Sequence, residues 1–544
     1  MSGARSRLQV HIHPTGILVA TVVAATAILC AAIGAIGFPT SVIDPDTASY
    51  LFQAKLFAQG WIAAEAPPDF GFSPSPHINI FNGLWASKYP FGNALFLTPG
   101  VLLGVPWLMP AIATGLTLLL FFLIIRDLFD NRVACVALVL AAMSPTTLVM
   151  GSTLLSQPTS RLAIAVFLWS LLRTLAQHRL WKCTLFGVIA GLALGYGFNT
   201  RPLVAVVFGV AALFLGIALV IQTHNWKSFF VAGATSVPAL ALMLLAFFVW
   251  SASLTDDPLL LPYHALQTGD RMGFGLRGEG YEPYITDFRT VFTPAAALDR
   301  LWRHTLPCVL FNMVGWGNYI SNMFLFSDPD RKLPFGAWLL AAQLVLIALP
   351  FVVRRPGRSD VFCGSVFLLT LVGLFFQYSD HATWGTSPLH CSYYNEATLF
   401  GLIPLAARGI LILYDAAMRR GWSPLWFADA GLLLMLCSAN VNYGVVRGLQ
   451  NWNPYYQRLP LLIAAAGIHD AVVFIPDSRD APVGEYPFVP LDEADVVYFR
   501  TGPLPQWRIE TDWLVAYDRY FVGRAVYRFD GSQLLRLEWR PKTE

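Results

Sequence analysis

The sequence predicts an all-α polytopic transmembrane bundle of about eleven spans, with interfacial helices and a small C-terminal α/β domain. Of its 544 residues, 56% are hydrophobic and 13% charged, and mean hydropathy is +0.55, so a water-soluble surface could not be assembled from them. Apolar runs of roughly 17 to 22 residues, long enough to cross about 30 Å of hydrocarbon, recur until about residue 445. Beyond that point the composition shifts to short runs, Ala471-Val472-Val473-Phe474-Ile475, Val496-Val497-Tyr498-Phe499 and Arg524-Ala525-Val526-Tyr527-Arg528-Phe529. Pro, Gly and Asp separate these runs, as in a strand-bearing unit. The expected division is therefore 1–445 in the membrane and 446–544 outside it.

The first run, near residues 17 to 37, follows Arg5 and Arg7. It is long and lacks a small-residue cleavage site, so it reads as a retained helix rather than a signal peptide. One threading then puts the short basic loops on a single side: Arg5 and Arg7, Arg126 and Arg132, Arg173 to Lys182, Lys227, Arg354 to Arg358, and Arg419 with Arg420. It requires that the stretch from about 301 to 323 does not cross, and Pro307, Asn312, Gly315, Gly317 and Asn318 suit an interfacial or re-entrant segment. By the positive-inside rule the N-terminus is cytoplasmic in a plasma (inner) membrane. The loops 38–105 and 251–333 and the C-terminal unit are then extracytoplasmic.

A formal net charge of +3 and the lack of any Lys/Arg-rich run exclude nucleic acid as a partner; lipid is the expected one. The seven cysteines are scattered singly. Cys30, Cys135, Cys183, Cys363 and Cys437 fall in apolar runs, and no CxxC or Cys/His spacing points to zinc. Cys308 and Cys391 stand outside, as two unrelated thiols or as a disulfide.

Chemistry-bearing residues concentrate in the first outer loop. Asp44-Pro45-Asp46-Thr47 places two carboxylates at the membrane surface. From Thr47 a helix is expected in the interface, with Leu51, Phe52, Ala54, Leu56 and Phe57 toward lipid and Ser49, Gln53 and Gln59 toward water. Asp46 is then its N-cap, satisfying first-turn N–H groups. A carboxylate there also suits a base that deprotonates an acceptor hydroxyl, and both readings can hold at once. Asp44 and Asp46 have the DxD form that can hold a divalent cation such as Mg or Mn, although two carboxylates rarely complete an oxygen cage. Farther along, in Trp85-Ala86-Ser87-Lys88-Tyr89-Pro90-Phe91-Gly92, Lys88 either snorkels to headgroups or offsets charge on a departing phosphate. The tryptophans Trp61, Trp85, Trp302, Trp316 and Trp384 fit an interfacial belt better than sugar stacking.

The order of a first helix, Asp46-x-x-x-Tyr50, Lys88-x-Pro90-x-Gly92 and a basic inside loop resembles the C-type (GT-C) membrane glycosyltransferases. The resemblance is to the superfamily of protein O-mannosyltransferases and the lipid A aminoarabinose transferase, and in particular to its family-39-like bacterial branch. Ser144-Pro145, Ser156-Gln157-Pro158, Phe198-Asn199-Thr200-Arg201-Pro202, Asp270-Arg271-Met272-Gly273-Phe274-Gly275 and Tyr393-Tyr394-Asn395-Glu396-Ala397 extend it along the chain. It implies an inverting glycosyltransferase that takes a sugar from a polyprenyl-phosphate carrier to an envelope or secreted glycan, lipid or protein acceptor. Asp46 would be the catalytic base, with Asp44 an extra carboxylate. Lys88 and Arg201 would meet the carrier phosphate, and Tyr393, Tyr394 and Glu396 the sugar. For Arg201 a helix-closing or headgroup role stands equally, as does a first-turn carboxylate role for Glu396. Three positions depart from the branch: Thr47 where a glutamate is frequent, Gln157 where Asp or His is common, and Cys391-Ser392 before the tyrosines, with His390 as the basic residue nearby. A multi-pass transporter would carry mid-membrane charges or repeated halves, which are not apparent. A non-catalytic subunit of envelope-polysaccharide assembly would tolerate loss of Asp46.

Overall fold

The computed structural model describes residues 14–66, 77–177, 179–266, 272–276, 291–302, 335–353, 355–376, 395–452, 454–476, 488–489, 493–501 and 522–538. Several expectations lie outside these residues: the fates of Cys308 and Cys391, the non-crossing of 303–323, and the placement of His390, Tyr393 and Tyr394.

The chain is a helical bundle with a small sheet at its C-terminal end. Its helices are α1 Pro14–Ala32, α2 Pro45–Ala58, α3 Gly92–Leu102, α4 Leu108–Leu128, α5 Asn131–Met143, α6 Pro145–Met150, α7 Gln157–Ala176, α8 Leu180–Phe198, α9 Pro202–Thr223 and α10 Trp226–Thr255. They continue with α11 Pro262–Leu266, α12 Pro294–Arg300, α13 Phe335–Val352, α14 Arg358–Phe376, α15 Asn395–Arg419, α16 Leu425–Trp452, α17 Pro454–Gln457 and α18 Leu459–Ala465. Among the described residues nine helices are long and apolar enough to cross a membrane. Helices α5 and α13, also apolar, stand between such helices in chain order.

The helix ends sort by chemistry. At one end Arg173 pairs with Asp127, Arg132 with Asp415 at 2.9 Å, and Arg408 with the fully buried Asp360 at 2.6 Å. The Ser359 hydroxyl donates to the Leu128 carbonyl at that same end. The opposite end gathers the C-terminus of α8 and the N-termini of α3, α7 and α9, and it is there that the first loop packs. Between the two ends lies an apolar core in which the Phe400 ring meets Phe121 and Phe208 edge-on, at centroid distances of 5.7 and 5.6 Å.

The first loop carries the expected helices, α2 and α3, and between them strands not expected from the sequence. It contains a three-stranded sheet of β1 Ala64–Glu65, β2 Ile78–Phe81 and β3 Leu84–Ser87, in the order β1-β3-β2. The last two strands join through Asn82 and Gly83, at φ 50° and 80°. This two-residue turn with positive φ at both positions matches the twist of the paired strands. A further two-stranded pair joins β4 Gly275–Leu276 to β5 Val291–Phe292.

The C-terminal runs form β6 Ala471–Pro476, β7 Val496–Thr501, β8 Ala525–Phe529 and β9 Leu534–Leu537, in the order β7-β6-β8-β9. Strand β6 is parallel to both neighbours, while β9 returns antiparallel. Its inner residues Val473, Ile475 and Phe529 pack on Leu459 and Ile463 of α18. Helix α16 continues through the expected boundary at 445/446. Phe488 of the C-terminal unit reaches the first loop, where it packs on Phe52 at 6.0 Å and lies under Lys55.

Helix α8 approaches α10 along Gly187, Gly191 and Gly195, one turn apart, where any side chain would run into Thr235, the Ser236 carbonyl and Met243. Small residues on one face let helix backbones close up where no hydrophobic effect drives helices together in lipid. Gly191→Val should lower the thermal unfolding midpoint in detergent, through an overpacking cost of about 1–3 kcal/mol. Gly233→Ala on α10, where nothing lies within 4 Å of an added Cβ, should leave the midpoint unchanged or slightly raised; a fall equal to that of Gly191→Val would contradict this account.

Candidate functional site

Helix α2 starts at Pro45, so the cap is Asp44 and not Asp46 as expected. Pro45 at the first helical position needs no N–H partner and has its φ preset. The Asp44 carboxylate accepts the Thr47 amide at 2.8 Å, and the Thr47 hydroxyl reaches back over the Asp44 amide at 3.1 Å, closing a capping box. Asp46 then sits in the first turn with its carboxylate free to point elsewhere.

The expected wet face of α2 is also overturned. Ser49 and Gln53 are fully buried, and only Gln59 of the three is exposed. The Ser49 hydroxyl sits 2.7 Å from that of Ser87 and donates to the His77 carbonyl. The Gln53 amide donates to the Ile62 carbonyl and accepts the Ser87 amide at 3.0 Å. These side chains tie the helix to the loop sheet, and Phe52, Ala54 and Leu56 are buried with them instead of facing lipid. Trp85, expected in an interfacial belt, is buried against Phe52 at 4.8 Å.

The hairpin places the lysine. Phe81 pairs with Leu84 and Ile78 with Ser87, so the next residues in register are His77 and Lys88, joined by the Lys88 amide donating to the His77 carbonyl at 3.1 Å. Lys88 does not snorkel: it is 2% exposed, with Nζ 5.2 Å from the Tyr89 ring centroid and 5.1 Å from that of Tyr263. Tyr263 belongs to α11, just beyond α10, and the hairpin tip holds the end of α10 through Asn82 Nδ2 donating to Asp256 at 2.8 Å. An ammonium between two aromatic faces is attracted by their quadrupoles.

Asp46 faces this lysine. The Tyr89 hydroxyl donates to its Oδ1 at 2.6 Å, and His77 Nε2 lies 3.1 Å from the same oxygen. Among the described residues its Oδ2 takes no hydrogen bond, and the side chain is 29% exposed. Burial alone would raise the Asp46 pKa. The hydrogen bond and charge of His77, the Lys88 ammonium and the Tyr89 hydroxyl outweigh burial and hold it well below the usual carboxylate range. Tyr50, one turn along α2, stacks on Tyr89 at 4.8 Å.

The loop meets the bundle at Gly92. Its amide donates to the Asn199 carbonyl at 2.9 Å and its carbonyl accepts the Tyr196 hydroxyl at 2.7 Å. Arg201 follows directly and opens α9 before Pro202. Its Nε lies 3.6 Å from Glu396 Oε1, and Glu396 is 1% exposed. Glu396 stands in the first turn of its helix, where its carboxylate takes no hydrogen bond among the described residues. Arg161, from the second turn of α7, is fully buried close enough to both Glu396 and Arg201 to feel their charge. Arg201 in turn acts on Tyr50, so the five groups run from Asp46 and Lys88 through Tyr50 to Arg201 and Glu396.

Asp44 and Asp46, expected as cation ligands, are each already engaged by protein groups. The first is taken up by its capping box and the second by His77 and Tyr89. Among the described residues no group of three or more His, Cys, Asp or Glu side chains gathers to hold a metal. His77, Tyr89, Tyr263 and Arg161 were missed by motif reading; for His77 the signal was the Asn82-Gly83 turn, which fixes it opposite Lys88.

Residues 96–257 match the family described as dolichyl-phosphate-mannose-protein mannosyltransferase. That stretch is a domain of the C-type membrane glycosyltransferase superfamily. It holds Gln157, Arg161 and Arg201 and ends at the close of α10. No curated protein matches the chain. Among solved structures it is similar to ArnT from Cupriavidus metallidurans bound to undecaprenyl phosphate, with 14% identity and a TM-score of 0.48, over 87% of this chain and 84% of that one. It is also similar to the apo oligosaccharyltransferase of Archaeoglobus fulgidus, with 14% identity and a TM-score of 0.46, over 79% of this chain. The chain spans 56% of the length of that oligosaccharyltransferase.

A Cβ on Gly92 would lie 2.5 Å from Thr200 Oγ1 and 2.7 Å from the Asn199 carbonyl. Gly92→Ala should therefore lower the unfolding midpoint in detergent, and adding Thr200→Ala should restore it only in part, because the backbone oxygen stays. Full recovery in the double variant would show that the backbone contact is unimportant.

Proposed function

We propose that this chain is an inverting glycosyltransferase that moves a sugar from a polyprenyl-phosphate-linked donor to an envelope or secreted acceptor. The observation that carries the reading is the partly exposed Asp46 carboxylate, held at Oδ1 by Tyr89 and His77, at the same bundle end as the buried Lys88, whose amide donates to the His77 carbonyl. The family matched by residues 96–257, described by its lipid-phosphate sugar, supports the same donor class.

In this reading Asp46 Oδ2 takes the proton of the acceptor hydroxyl as that oxygen attacks the anomeric carbon. The bond from that carbon to the phosphate oxygen breaks on the opposite face, and its electron pair leaves with the polyprenyl phosphate. Lys88 offsets the charge that builds on the departing oxygen, a role in which a preorganised cation in a water-poor site is strong. Arg201 is a second phosphate contact once drawn from Glu396, and Glu396 holds a sugar hydroxyl beside it. A carboxylate of low pKa is a weak base, so proton transfer runs late, as the new bond forms.

The site end is extracytoplasmic, because the arginine-rich turns at the other end follow the positive-inside rule. With it go the C-terminal unit 446–544 on the outside and 1–445 in the plasma membrane as the transferring part.

Asp46→Asn should reduce transfer about 10²- to 10⁴-fold without unfolding the protein. The assay is mass-spectrometric detection of free polyprenyl phosphate from purified protein supplied with a panel of polyprenyl-phosphate sugars. Lys88→Ala should also lose turnover. Wild-type release by Asp46→Asn would remove Asp46 as base, and no turnover of any donor by folded wild type would favour a transporter or an assembly subunit.

A further inference from the structure

We infer that His77 is the positioning residue of this site, holding Asp46 by its side chain and Lys88 by its backbone so that the two charges are presented at a fixed spacing. The inference rests on the reading of Asp46 as base. It starts from register: a two-residue turn at Asn82-Gly83 puts Phe81 opposite Leu84, and counting outward puts His77 opposite Lys88. The His77 carbonyl receives both the Lys88 amide, at 3.1 Å, and the Ser49 hydroxyl, at 2.7 Å. Strand β2 is thereby locked to β3 on one side and to α2 on the other, at the residue whose imidazole turns to Asp46.

The imidazole does the remaining work. Its Nε2 lies 3.1 Å from Asp46 Oδ1, and the acceptor is a carboxylate, so Nε2 carries the hydrogen. Tyr89 donates to the same oxygen at 2.6 Å, and the His77 ring meets the Tyr89 ring edge-on at 5.7 Å. Two donors on Oδ1 fix the carboxylate plane and leave Oδ2 for an acceptor hydroxyl. The other groups around Asp46 are Lys88 from the end of β3, Tyr50 and Asp44 on its own helix, and Arg201 beyond Tyr50. A carboxylate so held loses rate steeply when it is allowed to swing, because a displacement of about 1 Å can cost about 10²-fold.

His77→Ala removes the imidazole and leaves the backbone carbonyl, so the hairpin register is kept. The experiment measures donor turnover against pH for wild type, His77→Ala and His77→Gln, alongside carbodiimide modification of Asp46 against pH, with thermal unfolding to confirm that each variant folds. The expected result for His77→Ala is a fall in kcat of about ten- to a hundredfold, with KM for the donor within about threefold. His77 lowers the Asp46 pKa, so its loss should move the acid limb of the rate profile, and the pH of half-modification, toward higher pH. His77→Gln, whose amide can donate in the same direction, should recover most of the rate. Wild-type turnover with an unmoved half-modification pH in His77→Ala would overturn the inference. So would a loss of rate in which Ala and Gln are alike and neither curve moves, since that is the signature of a purely structural residue. If Asp46→Asn keeps its activity, the base reading fails separately, and the modification curve alone still decides whether His77 holds Asp46.

Discussion

The hydrogen bond from the Gly92 amide to the Asn199 carbonyl is where the first loop is joined to the bundle. The contact is so close that only a residue without a side chain fits. It lies four residues from Lys88 on one strand of sequence and two from Arg201 on the other. The segments that carry these two cations, distant in sequence, are therefore joined by a backbone approach and not by any interaction of the cations with each other. The Asn93 side chain reinforces the joint, donating to the Leu154 carbonyl and accepting the Thr159 hydroxyl at 2.7 Å. The N-terminus of α7, with Arg161, is thereby drawn into the same end.

A second constraint acts on everything placed there. Polar groups taken from water at a membrane surface cost free energy unless they are paired. Asp46 has His77 and Tyr89 and Lys88 has two aromatic faces, while the buried Glu396 has the Arg201 guanidinium at 3.6 Å without a hydrogen bond among the described residues. The polar side of α2 obeys the same rule. Ser49 and Gln53 satisfy a sheet edge and a loop carbonyl, so the helix is buried on nearly all sides. The chemistry proposed here needs one oxygen of Asp46 left over after this pairing, and the arrangement supplies it by directing both donors to Oδ1.

Much of the architecture was legible in the chain. Long apolar runs can be satisfied in lipid as helices, because each such helix closes its own backbone hydrogen bonds. The short runs after residue 446 became strands β6, β7 and β8 at nearly the expected residues, since runs of four to six residues rich in Val, Phe and Tyr and bounded by Pro, Gly and Asp are too short for helices and suit strands. The cap of α2 was misplaced because Asp44 and Asp46 are both capping residues by type, and Pro45 decides between them only when its fixed φ is taken as the first helical residue. The orientation of α2 was misjudged because periodicity says which residues share a face, not whether that face meets water or a sheet.

The sequence by itself determined that the chain fills a membrane with helices and ends in strands. It also determined which acidic and basic residues stand at the helix ends, and it carried in Asn82-Gly83 an unread signal for the turn that sets His77 across from Lys88. These are consequences of short-range geometry and of the period of apolar residues, both carried in the order of the letters. The tertiary structure alone decided that Lys88 is buried between Tyr89 and Tyr263, that Tyr89 reaches Asp46, and that Arg161 and Arg201 flank Glu396. Those contacts join segments separated by tens to hundreds of residues, and their existence depends on how the helices pack, which no local pattern encodes.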